Sequence, residues 1–214
     1  MERKIYLREK PVIILLVLIF FVGIVGHTIS QLREIMLFLT PFTLVVTSLV
    51  VFISFFHRVN KSFYYWFFIT FFLTFILEAI GVKTGLVFGD YTYGSVLGPK
   101  LFSVPVIIGI NWALIILGAT IISASLTKNK FLLPLIAGLL SVTFDFILEP
   151  VAIALDYWDW EGGIVPTQNY ISWFVIGTLS AVLYNFLKVK ISDDVPKYYF
   201  IMQFLFFVAL YLIL

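Results

Sequence analysis

SVTFDFILEPVAIALDYWDW, residues 141–160, places Asp145 and Glu149 inside an apolar run long enough to cross a membrane. On a helix this four-residue spacing sets both carboxyls on one face, about one turn or ~6 Å of rise apart. Pro150 follows at once, and an aromatic-acidic cluster, Tyr157, Trp158, Asp159 and Trp160, closes the segment. Ionisable groups at such depth are costly, and they usually face a bundle interior or a water-filled cavity where they serve function.

The whole chain has the same solvent preference. Its 214 residues are 62% hydrophobic and 19% aromatic with only 12% charged, and mean hydropathy is +1.08. A soluble domain is nearer half apolar and a quarter charged. The expected fold class is therefore all-α, a polytopic transmembrane helical bundle, as a single domain over residues 1–214. The chain has no cysteine, which excludes disulfides, thiolate metal sites and cysteine nucleophiles. No basic stripe suggests a nucleic acid partner. Arg3, Lys4, Arg8 and Lys10 precede the first apolar run, as in a signal peptide. That run is about a full span long and has no small-x-small cleavage site, so a retained first helix is expected.

About seven spans can be drawn, roughly 11–28, 36–57, 62–80, 103–126, 131–154, 171–188 and 197–214, each near the ~20 residues a bilayer requires. With the N-terminus cytoplasmic, that side holds Arg3, Lys4, Arg8, Lys10, Arg58, Lys61, Lys128, Lys130, Lys188, Lys190 and Lys197. The other side holds Arg33, Lys83 and Lys100. This bias predicts a multi-pass protein of the cell (inner) membrane with a cytoplasmic N-terminus. Both long connections, roughly 81–102 and 155–170, then lie on the non-cytoplasmic side. At ~1.5 Å per residue, Glu78, Asp145, Glu149, His27, Asn111 and Trp112 all fall in the outer half of a ~30 Å core.

Within that layer, Asp145 and Glu149 are the first candidates for catalysis. Burial without a nearby cation disfavours ionisation of both, and two close carboxyls titrate as a pair. One protonated and one ionised carboxyl would supply a general acid and a general base. Pro150 also frees the Phe146 carbonyl one turn back, which can hold a water. The bland alternative is that the two carboxyls only hydrogen-bond other helices.

Glu78 lies in FILEAIGVKTGLVFGDYTYG and is the third carboxylate, unless it pairs with Lys83 at the interface. Gly81, Gly85 and Gly89 lack phosphate-loop spacing and suit tight turns or a re-entrant loop. Asp90, Tyr91 and Tyr93 form either a lid or, for the tyrosines, an interfacial belt. Trp112, Trp158, Trp160 and Trp173 fall toward the outer side, as belt residues or as ring faces that stabilise a developing cation. Asn111 and Asn169 are candidates to position water. A Mg²⁺-diphosphate site would want repeated Asp-rich motifs, and one Asp-x-x-x-Glu pair does not make that pattern. His27 and His57 sit near opposite ends of their spans, so no metal site is expected. His27 reads as an interfacial or hydrogen-bonded histidine.

Four stretches in order, EAIGVKTGLVFGDYTYG from Glu78, PVIIGINW from Pro105, DFILEPVAIALDYWDW from Asp145 and VPTQNYISW from Val165, carry a resemblance. Together they resemble the membrane-integral carotenoid biosynthesis family that includes the carotenoid hydratases, over roughly residues 75–190. The resemblance implies hydration of the terminal trisubstituted double bond of a linear carotenoid, with no redox cofactor. The implied partners are a long isoprenoid substrate, the lipid bilayer and other carotenoid enzymes. Protonation of the alkene gives a tertiary carbocation, which water captures as a second carboxylate removes its proton. In that scheme Asp145 or Glu149 is acid or base, Glu78 is the third member, and Trp112, Tyr91 and Trp158 stabilise the cation.

A lycopene-type cyclase starts with the same protonation but traps the cation with an internal double bond, and the residues leave that choice open. A membrane transporter with a carboxylate proton relay is the alternative of another class, although no internal symmetry supports it. A retinal-type photoreceptor would need a mid-membrane lysine in the last helix, which the chain from Lys197 onward does not have.

Overall fold

The computed structural model describes residues 2–214, with side chains from residue 9 onward, so the side chains of Arg3, Lys4 and Arg8 lie outside the described residues. Among the described residues there are seven α-helices: α1 (Glu2–Thr28), α2 (Ser30–Phe55), α3 (Lys61–Thr84), α4 (Val106–Leu126), α5 (Leu132–Ala154), α6 (Thr167–Phe186) and α7 (Val195–Ile213). All except α6 are long and apolar enough to cross a membrane. The chain is thus a polytopic helical membrane protein, as its composition predicts. Large apolar side chains such as Phe21, Phe38, Phe42, Phe72 and Leu179 point outward. Lipid is as apolar as leucine, so these positions cost nothing there.

Helix α4 runs through the centre of the bundle, and Ala113, Leu114, Ile115, Ile116 and Leu117 are fully buried. It packs against α3, α5 and α7, while α1 lies against α2 and α7. The most extensive helix contact is that of α5 with α6, where small residues let the backbones approach. A Cβ at Gly138 would stand 2.6 Å from the Phe174 carbonyl oxygen, and one at Gly177 would stand 2.8 Å from Ser141 Cβ. This approach brings the start of α6 beside the end of α5.

The two ends of the bundle differ. At one end Arg58 pairs with Asp193 at 2.7 Å and with Glu9 at 3.3 Å. There Asn60 also donates to the Lys188 carbonyl at 2.9 Å. The start of α1, the α2–α3 turn and the α6–α7 connection therefore share one end, as the distribution of Lys and Arg predicts.

At the other end the long connections form strands that an all-α reading does not contain: β1 (Tyr91–Tyr93), β2 (Lys100–Leu101), β3 (Val104–Pro105) and β4 (Trp158–Trp160). Gly85, at φ +67°, ends α3 in the left-handed conformation and turns the chain toward β1. Strands β2 and β3 make a small hairpin. Strand β1 pairs antiparallel with β4, with Tyr91 opposite Trp160 and Tyr93 opposite Trp158. Side chains alternate along a strand, so Tyr91, Tyr93, Trp158 and Trp160 are buried while Thr92 and Asp159 are exposed.

Candidate active site

The inward face of the β1–β4 ribbon closes over three carboxylates. Asp145 and Glu149, one turn apart on α5, are 1% and 2% exposed, and Glu78 near the end of α3 is 3% exposed. Each is held by neutral donors. Trp158 Nε1 and Trp160 Nε1 donate to Glu149 Oε2 at 2.9 and 2.7 Å. Asn169, in the first turn of α6, donates to Asp145 Oδ2 at 2.6 Å and to Glu149 Oε1 at 3.2 Å. Tyr91 and Tyr93 both donate to Glu78 Oε2, the latter at 2.9 Å.

Burial, and next the Glu78 carboxyl beside them, hold both phenols well above their ordinary value. They stay protonated and remain donors. The ribbon register explains the set: alternate residues of two strands present two phenols and two indoles to one face, each with its polar atom directed inward.

An aromatic stack forms the wall beside the carboxylates. Trp112 of α4 and Trp173 of α6 lie 3.5 Å apart between ring centroids and 15° from parallel, and Phe88 stacks on the far side of Trp173 at 5.0 Å. The carboxylate pocket enclosed in this way has a volume of about 10 Å³, roughly the room one water needs. Trp112 and Trp158 line it, and both also line a second cavity of about 330 Å³ between α1, α2, α4 and α7. The larger space has the size and apolar character of a small-molecule site. The two indoles are a shared partition between a water-sized polar chamber and a wide apolar one.

The structure brings most of the expected residues together. Asp145, Glu149, Glu78, Tyr91, Tyr93, Trp112, Trp158, Trp160, Asn169 and Trp173 all line the carboxylate pocket. The tyrosines are not a belt at the bilayer surface, because their hydroxyls are turned onto Glu78. Nor does Glu78 pair with Lys83, which is exposed.

Two residues are placed elsewhere. The Asp90 carboxyl is exposed and lies against the Gly85 turn, and its backbone carbonyl accepts from Glu161 N–H at 2.9 Å. Asn111 faces the apolar cavity, where its Oδ1 accepts from Gln203 Nε2 at 2.8 Å and from Tyr199 hydroxyl at 3.2 Å. Neighbours on a helix point about 100° apart; the large Trp112 ring reaches both chambers, whereas the short Asn111 side chain lines only the apolar one. Sequence reasoning missed Gln203, although one glutamine inside the apolar run of α7 is the signal that marks Asp145. Of the two readings of His27, interfacial or hydrogen-bonded, the structure shows the second: the ring is 3% exposed, its Nδ1 lies 2.7 Å from the Gly23 carbonyl oxygen, and it lines the apolar cavity.

Comparison with known proteins places the chain in a family. A stretch of 120 residues is 32% identical to the bisanhydrobacterioruberin hydratase of Haloarcula japonica, covering 51% of this chain and 40% of that relative. The chain therefore matches less than half the length of that curated protein. No solved structure matches the chain. Residues 39–214, which include every helix that lines the carboxylate pocket, match the carotenoid biosynthesis proteins, and the chain belongs to that family.

Proposed function

We propose that this protein hydrates the terminal double bond of a linear carotenoid by acid-base catalysis. The carrying observation is the uneven sharing of donors among the three carboxylates. Glu149 receives three N–H groups, so both of its oxygens act as acceptors. Among the described residues only Asn169 donates to Asp145, and it uses Oδ2. Asp145 is then the general acid and Glu149 the general base. Asp145 gives its proton to the less substituted alkene carbon, which leaves a tertiary carbocation on the neighbouring carbon. Water adds to that carbon while Glu149 removes its proton, and the proton returns from Glu149 to Asp145. Glu78, held by Tyr91 and Tyr93, adds negative potential opposite the cation.

The two chambers suit the two reactants. The apolar cavity takes the isoprenoid, the carboxylate pocket takes a single water, and the Trp112 and Trp158 ring faces at the partition stabilise the cation. At about 10 Å³ the pocket cannot admit the end group as it stands, so the partition turns aside for the alkene to reach Asp145. A site that holds one water beside the acid favours hydration over cyclisation. The protein works in the cell's inner membrane as a single domain, with its Lys- and Arg-rich end cytoplasmic. A carotenoid substrate makes other carotenoid enzymes its functional neighbours.

Expression in cells that accumulate lycopene, with mass analysis of the extracted pigment, tests this reading. A product that has gained one water is expected. An isomer of unchanged mass would identify a cyclase instead. Unchanged pigment, with the protein confirmed in the membrane, would refute hydration of that substrate.

A further inference from the structure

The hydration proposed above uses up one water per turnover, and the carboxylate pocket of about 10 Å³ has room for one. Water must therefore enter again past the wall of the pocket each time. Among the described residues that line it, Phe88 alone belongs to neither a helix nor a strand. It is carried by a turn at the protein surface, residues 85–89, in which Leu86 is 78% exposed while the Phe88 side chain is buried. The ring stacks on Trp173 at 5.0 Å and meets Tyr91 edge-on at 6.2 Å. Phe88 does not line the apolar cavity, so it closes the pocket on a different side from the Trp112–Trp158 partition.

The turn is bounded by Gly85 at φ +67° and Gly89 at φ +107°, angles that suit glycine. Two side chains on one face of α6 hold it from outside: Gln168 Nε2 donates to the Leu86 carbonyl and Ser172 Oγ to the Val87 carbonyl, both at 2.5 Å. Gln168 is exposed, so water can replace its bond. Gly81 makes room for the ring, because a Cβ there would stand 2.7 Å from Phe88 Cδ2. The phenols and indoles of the ribbon are tied to Glu78 and Glu149, whereas a phenyl ring has nothing to tie. The turn can therefore open without breaking a bond to any carboxylate.

We propose that Phe88 is the water gate of this site: the 85–89 turn swings outward to admit water at the ribbon end of the bundle, and the ring closes behind it. Water and alkene then reach the carboxylates by separate routes, the alkene past Trp112 and Trp158 and the water past Phe88. Phe88 thereby helps to set the product, since a carbocation that meets no water is left to an internal double bond or to loss of a proton. That consequence rests on the reading under Proposed function; the gate rests on the packing of the turn.

The test follows exchange of indole N–H protons with heavy water, by NMR on the purified full chain carrying isotope-labelled tryptophan. Trp158 and Trp160 donate into the pocket, so their protons exchange only when water arrives there. Trp66 donates to the Ser180 carbonyl at 2.7 Å, outside the pocket, and reports any general loosening. No substrate enters the measurement, so the outcome does not depend on catalysis. Phe88→Ala is expected to speed exchange at Trp158 and Trp160 about tenfold, the scale of one lost ring stack, with Trp66 unchanged. Gly81→Ala keeps the ring but displaces it, and should speed exchange at the same two indoles while favouring the helix. If Phe88→Ala fails to fold, Gly81→Ala decides the matter. Exchange at Trp158 and Trp160 that stays at the unsubstituted rate would overturn the gate, as would equal acceleration at Trp66. Faster exchange in Trp112→Ala but in neither of these variants would route water through the apolar cavity and overturn it too. Absence of pigment hydration, with the expected exchange pattern intact, would defeat the catalytic reading and leave the gate standing.

Discussion

Replacing Glu149 by glutamine separates two roles of this side chain. Three N–H groups converge on it, two indoles on Oε2 and the Asn169 amide on Oε1. A glutamine has one carbonyl oxygen and an NH₂ that only donates. If the oxygen faces the indoles, the NH₂ opposes Asn169; if it faces Asn169, the NH₂ opposes both indoles. At least one buried donor is stranded either way, at a cost of about 1–3 kcal/mol. Loss of the base should lower turnover by roughly 10²–10⁴.

Asp145→Asn is the matched control. Among the described residues Asp145 accepts only from Asn169, on Oδ2, so the new amide can turn its oxygen to that donor, and its NH₂ takes the place of the acid's O–H, donor for donor. Both variants should lose hydration in pigment extracts, but only Glu149→Gln should unfold earlier in a thermal scan of the purified protein. Full activity in both variants would sink the proposed site. Equal stability loss in both would refute the accounting of donors, even if activity fell.

Three further outcomes are expected. Tyr157, in the connection after α5, has its phenol pushed up by burial to about 12. A raised value stabilises the fold below the ordinary pKa of about 10 and loses that contribution as pH climbs toward the raised one. Stability measured from pH 9 to 11.5 should therefore fall with pH in the unsubstituted protein and fall less in Tyr157→Phe, where Tyr91 and Tyr93 still contribute. Gly138→Leu should force α5 and α6 apart, at roughly 1–3 kcal/mol or more, and should lower hydration by moving Asn169 off the carboxylates; stability and activity equal to the unsubstituted protein would refute the close approach. A reporter fused at Lys128–Lys130 should be active only on the cytoplasmic side, and exterior activity would reverse the orientation.

Much of the fold was legible because the bilayer constrains it so tightly. Each drawn span overlaps an observed helix, and six of the seven are long and apolar enough to cross a membrane, since a spanning segment must satisfy its own backbone and be ~20 residues long. The ribbon escaped because its strands have three residues each and pair across two connections far apart in sequence. Three residues carry no usable alternation. Depth counting put Glu78, Asp145, Glu149 and Trp112 in one layer, and these do meet. It put Asn111 and His27 in the same layer, but depth says nothing about rotation around a helix axis.

That limit has a physical cause. In water an apolar stripe shows which face of a helix is buried. In lipid the outer face is as apolar as the core, so α3 shows no stripe to read, and α4, buried nearly all round, shows none either; only tertiary packing sets their rotation. The sequence by itself determined the solvent, the helices and the presence of costly carboxylates on one face of α5. The tertiary structure decided which donors hold each carboxylate, where the Trp112–Trp158 partition divides two chambers, and that Gln203 and His27 face the apolar one. Those choices depend on side chains from separate helices meeting at hydrogen-bond distance, and no spacing along a single segment encodes that.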